Sequence, residues 1–102
     1  MSANIAIIHA VRVAVSPIEK TFERLWPDAK LVNILDETLS RDLAKTGEMT
    51  PALMERIDRL GRFSRDGGAN AILYSCSAFG KAIEATRARM DLPVLKPNEA
   101  ML

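Results

Sequence analysis

The sequence predicts an α/β domain: a parallel four-stranded sheet flanked by helices. A short, continuous apolar run at residues 4–9 suits a strand that is covered on both faces, and further short strands are read at residues 30–35, 71–75 and 93–95. Longer stretches with helical patterning stand between them. This strict alternation argues for a parallel sheet with right-handed crossovers.

The first run, Asn4-Ile5-Ala6-Ile7-Ile8-His9, opens the sheet. Ser16-Pro17-Ile18-Glu19 then starts a helix: serine can cap, proline suits the first helical position, and Glu19 can complete a capping box. Phe22 and Leu25-Trp26 supply its apolar contacts, and Pro27 ends it. Lys30-Leu31-Val32-Asn33-Ile34-Leu35 is the second strand and leads to Asp36-Glu37. Residues 39–47 read as either a short helix or an ordered loop. Thr50-Pro51 begins a stronger helix, with Leu53, Ile57, Leu60 and Ser64 on one stripe and Met54 and Gly61 beside it. Gly67-Gly68 ends that helix. Ala71-Ile72-Leu73-Tyr74-Ser75 is the third strand, a helix follows over about residues 78–90, and Pro93-Val94-Leu95 is the fourth strand. Residues 98–102 read as the opening of a further helix. A single turn gains little from its own hydrogen bonds, so a chain ending inside a larger architecture is expected.

At 102 residues the chain is expected to form one domain, residues 1–102. A chain of this size buries somewhat under ~70% of the surface its unfolded form exposes, enough for one core and not two. Its net charge of +1, with acids and bases interleaved as in Arg56-Ile57-Asp58-Arg59, gives no footprint for nucleic acid or an acidic membrane surface. One cysteine and one histidine exclude an intrachain disulfide framework, a cysteine-based zinc site and a multi-histidine metal site. Residues 4–10 are too short to span a bilayer and follow no basic segment, so no secretory pattern is read and a cytoplasmic location is expected.

Ligands of open α/β sheets bind beyond the carboxyl ends of the strands. Three segments fall there: residues 9–16, Asp36-Glu37, and residues 75–80. In Tyr74-Ser75-Cys76-Ser77-Ala78-Phe79-Gly80 a strand runs through small polar residues into a helix. The first amides of that helix lack intrahelical acceptors and carry the positive end of its dipole. They suit a carboxylate or phosphate, and the same field favours a thiolate on Cys76. Beside this stands the reading of a lone cysteine as an inert buried hydrophobe. His9 alone reads as a packing or hydrogen-bonding histidine, Arg12 as a surface arginine able to meet an anion, and Asp36 and Glu37 as ligand contacts or loop solvation. Tyr74 reads as core. Three sharper motifs fail: arginine is absent six positions after Cys76, where Ala82 stands; residues 9–16 lack the glycines of a dinucleotide turn; and no second cysteine completes a thioredoxin-type pair.

The pattern resembles the N-terminal half of the aspartate/glutamate/hydantoin racemase superfamily, over nearly the whole chain. The resemblance includes Ile5-Ala6-Ile7-Ile8-His9-Ala10, Ser16-Pro17-Ile18 and Asp66-Gly67-Gly68-Ala69. Its most specific parts are Ser75-Cys76-Ser77-Ala78-Phe79-Gly80 and Pro93-Val94-Leu95-Lys96-Pro97-Asn98-Glu99-Ala100. It implies one half of a pseudo-symmetric two-domain fold, with the active site in the cleft between the halves. Cys76 matches the first of two cysteines that face each other across the substrate, and Ser77 and Ala78 match residues that hold the substrate carboxylate. With them, Phe79, His9, Ser75 and Asn98 make up the candidate substrate-binding set.

The implied chemistry is cofactor-independent proton transfer at a carbon α to a carboxylate: one thiolate removes the proton and a thiol on the opposite face returns one. No cofactor and no metal are expected. Since only the first cysteine is present, the expectation is a truncated or partial racemase-like protein, not fully active alone, unless two chains associate and each supplies a Cys76. Among relatives, maleate isomerases also use paired cysteines, whereas arylmalonate decarboxylases keep only the cysteine of the second half, which counts against that activity here. Two other readings stand beside the racemase one: a non-catalytic module binding a small carboxylate or phosphate at residues 77–80, and an oligomerising fragment that exposes an apolar edge.

Overall fold

In the computed structural model, which describes residues 3–97, four strands form one all-parallel sheet in the order β2-β1-β3-β4. The chain runs β1 (Asn4–His9), α1 (Val15–Leu25), β2 (Lys30–Leu35), α2 (Glu37–Thr46), α3 (Pro51–Asp66), β3 (Ala71–Tyr74), α4 (Gly80–Arg87) and β4 (Val94–Leu95). Short 3₁₀ turns at Arg12–Ala14 and Ser77–Phe79 precede α1 and α4. The predicted fold class and all four strands are present. The further helix expected over residues 98–102 lies outside the described residues.

Alternation along β1 divides the interior into two layers. Ala6, Ile8 and Ala10 join Ile72 and Tyr74 of β3 against Leu53 and Ile57 of α3 and Ala82 and Ile83 of α4. Ile5 and Ile7 join Leu73 on the other face, under Ile18 and Phe22 of α1. Helices therefore cover both faces, which is why β1 and β3 read as continuous apolar runs.

Several helix ends differ in detail from the sequence-based expectation. Helix α1 begins at Val15, after a 3₁₀ turn, and its first turn has no side-chain cap hydrogen bond. Ser16 and Glu19 thus form no capping box, and the carboxylate of Glu19 accepts instead from the Asn33 amide of β2 at 3.1 Å. The ambiguous stretch is helix α2. Its cap is Asp36, whose carboxylate accepts from the Thr38 amide at 2.9 Å, and it ends on Gly47 in the left-handed conformation. Helix α3 starts as expected, with the Thr50 hydroxyl accepting from the Leu53 amide at 3.2 Å and Pro51 in the first turn.

Gly61 on α3 allows close packing against Tyr74 of β3 and Thr86 of α4. A Cβ there would lie 2.8 Å from the Tyr74 hydroxyl, 3.1 Å from Thr86 Cγ2 and 3.2 Å from Met90 Cε. Tyr74 is buried and donates to the Ile57 carbonyl at 2.7 Å. Burial, and secondarily the charge of Asp58, raise its ionisation well above the ordinary phenol range.

Candidate functional site

Strand order reverses at β1: β2 is added on one side, β3 and β4 on the other. The chain segments leaving β1 and β3 therefore part at their carboxyl ends, and such a switch point is where open α/β sheets hold ligands. Pairing continues past the strands, with the Ser75 amide donating to the Ile8 carbonyl at 3.0 Å and the Asp36 amide to the His9 carbonyl at 3.0 Å. These bonds fix where the chain departs from the sheet. Ser75, Cys76 and the 3₁₀ turn Ser77–Phe79 follow directly from β3 at this position.

Cys76 is half-buried, in extended conformation (φ −105°, ψ 121°), and packs against the larger apolar layer. It caps the 3₁₀ turn without a side-chain hydrogen bond, so the turn's opening amides have no side-chain acceptor. Ser77 and Ala78 are exposed. Phe79 is buried in the core with only 2% of its surface exposed, so its backbone is what it can offer a ligand. A pocket of about 380 Å³ is lined by Ser77, Gly80, Lys96 and Pro97. Lys96 also pairs with Glu84 at 3.0 Å. Asn98 lies outside the described residues.

His9 sits as the hydrogen-bonding histidine that the strand-end reading describes. Its ring is wholly buried on the α1 face. Nδ1 lies 2.7 Å from the Ser75 hydroxyl and Nε2 lies 2.8 Å from Asn33 Oδ1. The Asn33 amide in turn donates to Glu19. His9 is therefore enclosed, and the member of this network at the strand end is Ser75. Asn33 and Glu19 were not among the candidate site residues. Asn33 had a signal, being the single polar residue inside the apolar run of β2. Glu19 had none, because its partner lies across a strand-to-helix contact.

The remaining strand-end groups are engaged with one another. Arg12 grips Glu37 through two hydrogen bonds, 2.7 and 3.2 Å, between exposed side chains. That contact raises the Arg12 ionisation and holds the Glu37 carboxyl below the usual carboxylate range, chiefly through the hydrogen bond. Arg56 bridges Asp42 at 2.6 Å and Asp36 at 3.4 Å, and also hydrogen-bonds Thr38. Asp36 and Glu37 thus serve as helix cap and ion-pair partners.

Among the described residues, no group of three or more His, Cys, Asp or Glu side chains is placed to hold a metal ion. Among the same described residues no helix is long and apolar enough to cross a membrane. Other cavities lie elsewhere, one of about 240 Å³ at the amino ends of the strands between Asn4, Val32 and Gly67. Neither a scan against protein-family models nor a search of curated proteins finds a match for this chain.

Proposed function

We propose that this chain is a racemase- or isomerase-like domain in which Cys76 transfers a proton at a carbon α to a carboxylate, without a cofactor. The observation that carries the reading is the position of Cys76, at the carboxyl end of β3, beside the switch point and opening an uncapped helical turn. A thiolate there would remove the α-proton. The exposed Ser77–Ala78 segment would hold the carboxylate, and the turn's amides would offset developing enolate charge. One cysteine per chain supplies one base, so inversion requires a second thiol from outside this sequence, for example from a second copy. A reducing compartment such as the cytoplasm fits a protein working through a free thiol.

The test is deuterium wash-in at the α-carbon of aspartate, glutamate and a 5-substituted hydantoin in D₂O, followed by NMR. Exchange with retained configuration, lost in Cys76→Ala, is the expected result. Exchange that survives Cys76→Ala would overturn the assignment. Cys76-dependent inversion by a chain that light scattering shows to be monomeric would overturn the requirement for a second thiol.

The pocket beside Lys96 favours one other reading, a module that holds a small carboxylate or phosphate without turnover. The rate of Cys76 alkylation against pH separates the two. Thiolate reactivity persisting below the ordinary cysteine range supports the enzyme, and ordinary thiol behaviour supports the module.

A further inference from the structure

The part-buried hydrogen-bond network on the α1 face, with His9 enclosed at its centre, sets the proton positions of its members, and those positions give Ser75 a role of its own. Glu19 can only accept, so the Asn33 group facing it is the amide NH₂ and the group facing His9 is the carbonyl oxygen. His9 Nε2 must therefore carry the hydrogen that Asn33 accepts. In the neutral ring Nδ1 is then the acceptor, and the hydroxyl 2.7 Å away donates to it. The Ser75 proton is committed to a base that is wholly enclosed, while Ser75 itself is only half-buried and stands one residue beyond β3. A nucleophile bonded to a base, with the base oriented by a third group, is the arrangement that activates a hydroxyl.

We propose that Ser75 is the nucleophile of an acyl-transfer site acting on small carboxylic esters, with His9 as general base and Asn33 and Glu19 as positioning residues. Ser75 Oγ attacks the ester carbonyl carbon, and its proton passes to His9 Nδ1. The alcohol leaves with that proton, which returns His9 to its neutral form. Water then attacks the Ser75 ester and gives its proton to Nδ1. The carboxylic acid is released as Ser75 Oγ recovers a proton from His9. Ester and water are consumed, and acid and alcohol are formed. None of these steps uses Cys76, so the proposal stands apart from the racemase reading.

Diisopropyl fluorophosphate is the probe, because it forms a stable adduct on an activated serine: the Oγ–P bond forms, fluoride leaves and the proton goes to His9. The wild-type chain is incubated with it and the adduct is located by peptide mass spectrometry. One adduct per chain, on Ser75, is expected, and His9→Gln should slow its formation by about 10²–10⁴-fold. An adduct elsewhere, no adduct, or an unchanged rate in a folded His9→Gln chain overturns the proposal. A readout independent of folding variants is available because the chain has one histidine. Its ¹⁵N spectrum should show a protonated Nε2 and an unprotonated Nδ1 in the wild type, and Asn33→Ala should loosen that preference. A ring protonated on Nδ1 in the wild type removes the base and with it the proposal.

Discussion

The two faces of the sheet are held by different means. On the α3/α4 face, Leu53, Ile57, Tyr74, Phe79, Ala82 and Ile83 form a continuous buried layer. On the α1 face, α1 itself has no buried residue, and the buried apolar side chains are Ile5, Ile7 and Leu73 of the sheet. A groove of about 450 Å³ beside α1, lined by Phe22, Trp26, Leu73, Pro93 and Leu95, leaves part of this face open. One face carries most of the apolar burial. The other holds a histidine in a hydrogen-bonded network and is more lightly covered.

The sharpest way to break this comparison is to delete equivalent methylenes on the two faces. Ile57 is completely buried and Ile18 only partly so. Ile57→Ala should cost about 2–5 kcal/mol, in the range for truncation of an enclosed aliphatic side chain. Ile18→Ala should cost about 1 kcal/mol, because less area leaves water when α1 docks. Urea denaturation of both variants measures the difference, and equal losses would show that α1 is as firmly held as α3.

Overpacking tests the same face from the opposite direction. Gly61→Ala adds a methyl group 2.8 Å from the Tyr74 hydroxyl, with Thr86 and Met90 just behind it. Alanine favours helix over glycine by roughly 1 kcal/mol. Here the steric cost should exceed that gain, for a net loss of about 1–3 kcal/mol. A melting temperature at or above that of the wild type would mean that α3 and α4 can separate cheaply.

The sequence revealed the α3/α4 face better than the α1 face, for physical reasons. The stripe from Leu53 through Ile57 to Ser64 is periodic, Thr50-Pro51 is a strong start signal, and the apolar strands need no long-range information to be recognised. The placement of Cys76 just beyond the third strand is likewise legible in the sequence. The His9 network could not be read in that way. It joins β1, β2, α1 and the residue after β3, separated by 66 positions between His9 and Ser75. No local spacing encodes that meeting. Ser16 and Glu19 misled for a related reason: their capping-box spacing is locally sound, but Glu19 finds a partner on β2 and the helix starts earlier. Helix α2 was ambiguous because it buries only Leu39.

The smallest expected effect concerns the ion pairs that tie the two faces together at the strand ends. Arg12 leads into α1 on one face, and Glu37 opens α2 on the other. Asp42 of α2 is held by Arg41 and then by Arg56 of α3. These contacts favour the ionised carboxylates and hold the titration of Glu37 and Asp42 below the ordinary values of 4.5 and 3.8. A carboxylate lowered on folding contributes stability that is fully present above its unfolded value and is lost as pH falls through its folded value. The denaturation midpoint should therefore hold steady down to about pH 5 and decline below it, most steeply beneath pH 4. Salt should weaken the exposed Arg12–Glu37 part. Glu37→Gln and Asp42→Asn should each flatten the decline, by lowering the neutral-pH midpoint slightly while leaving the midpoint at acid pH close to that of the wild type. An acid limb that keeps its full slope in the double variant would assign acid sensitivity to other carboxylates, and would leave the two faces joined by the sheet alone.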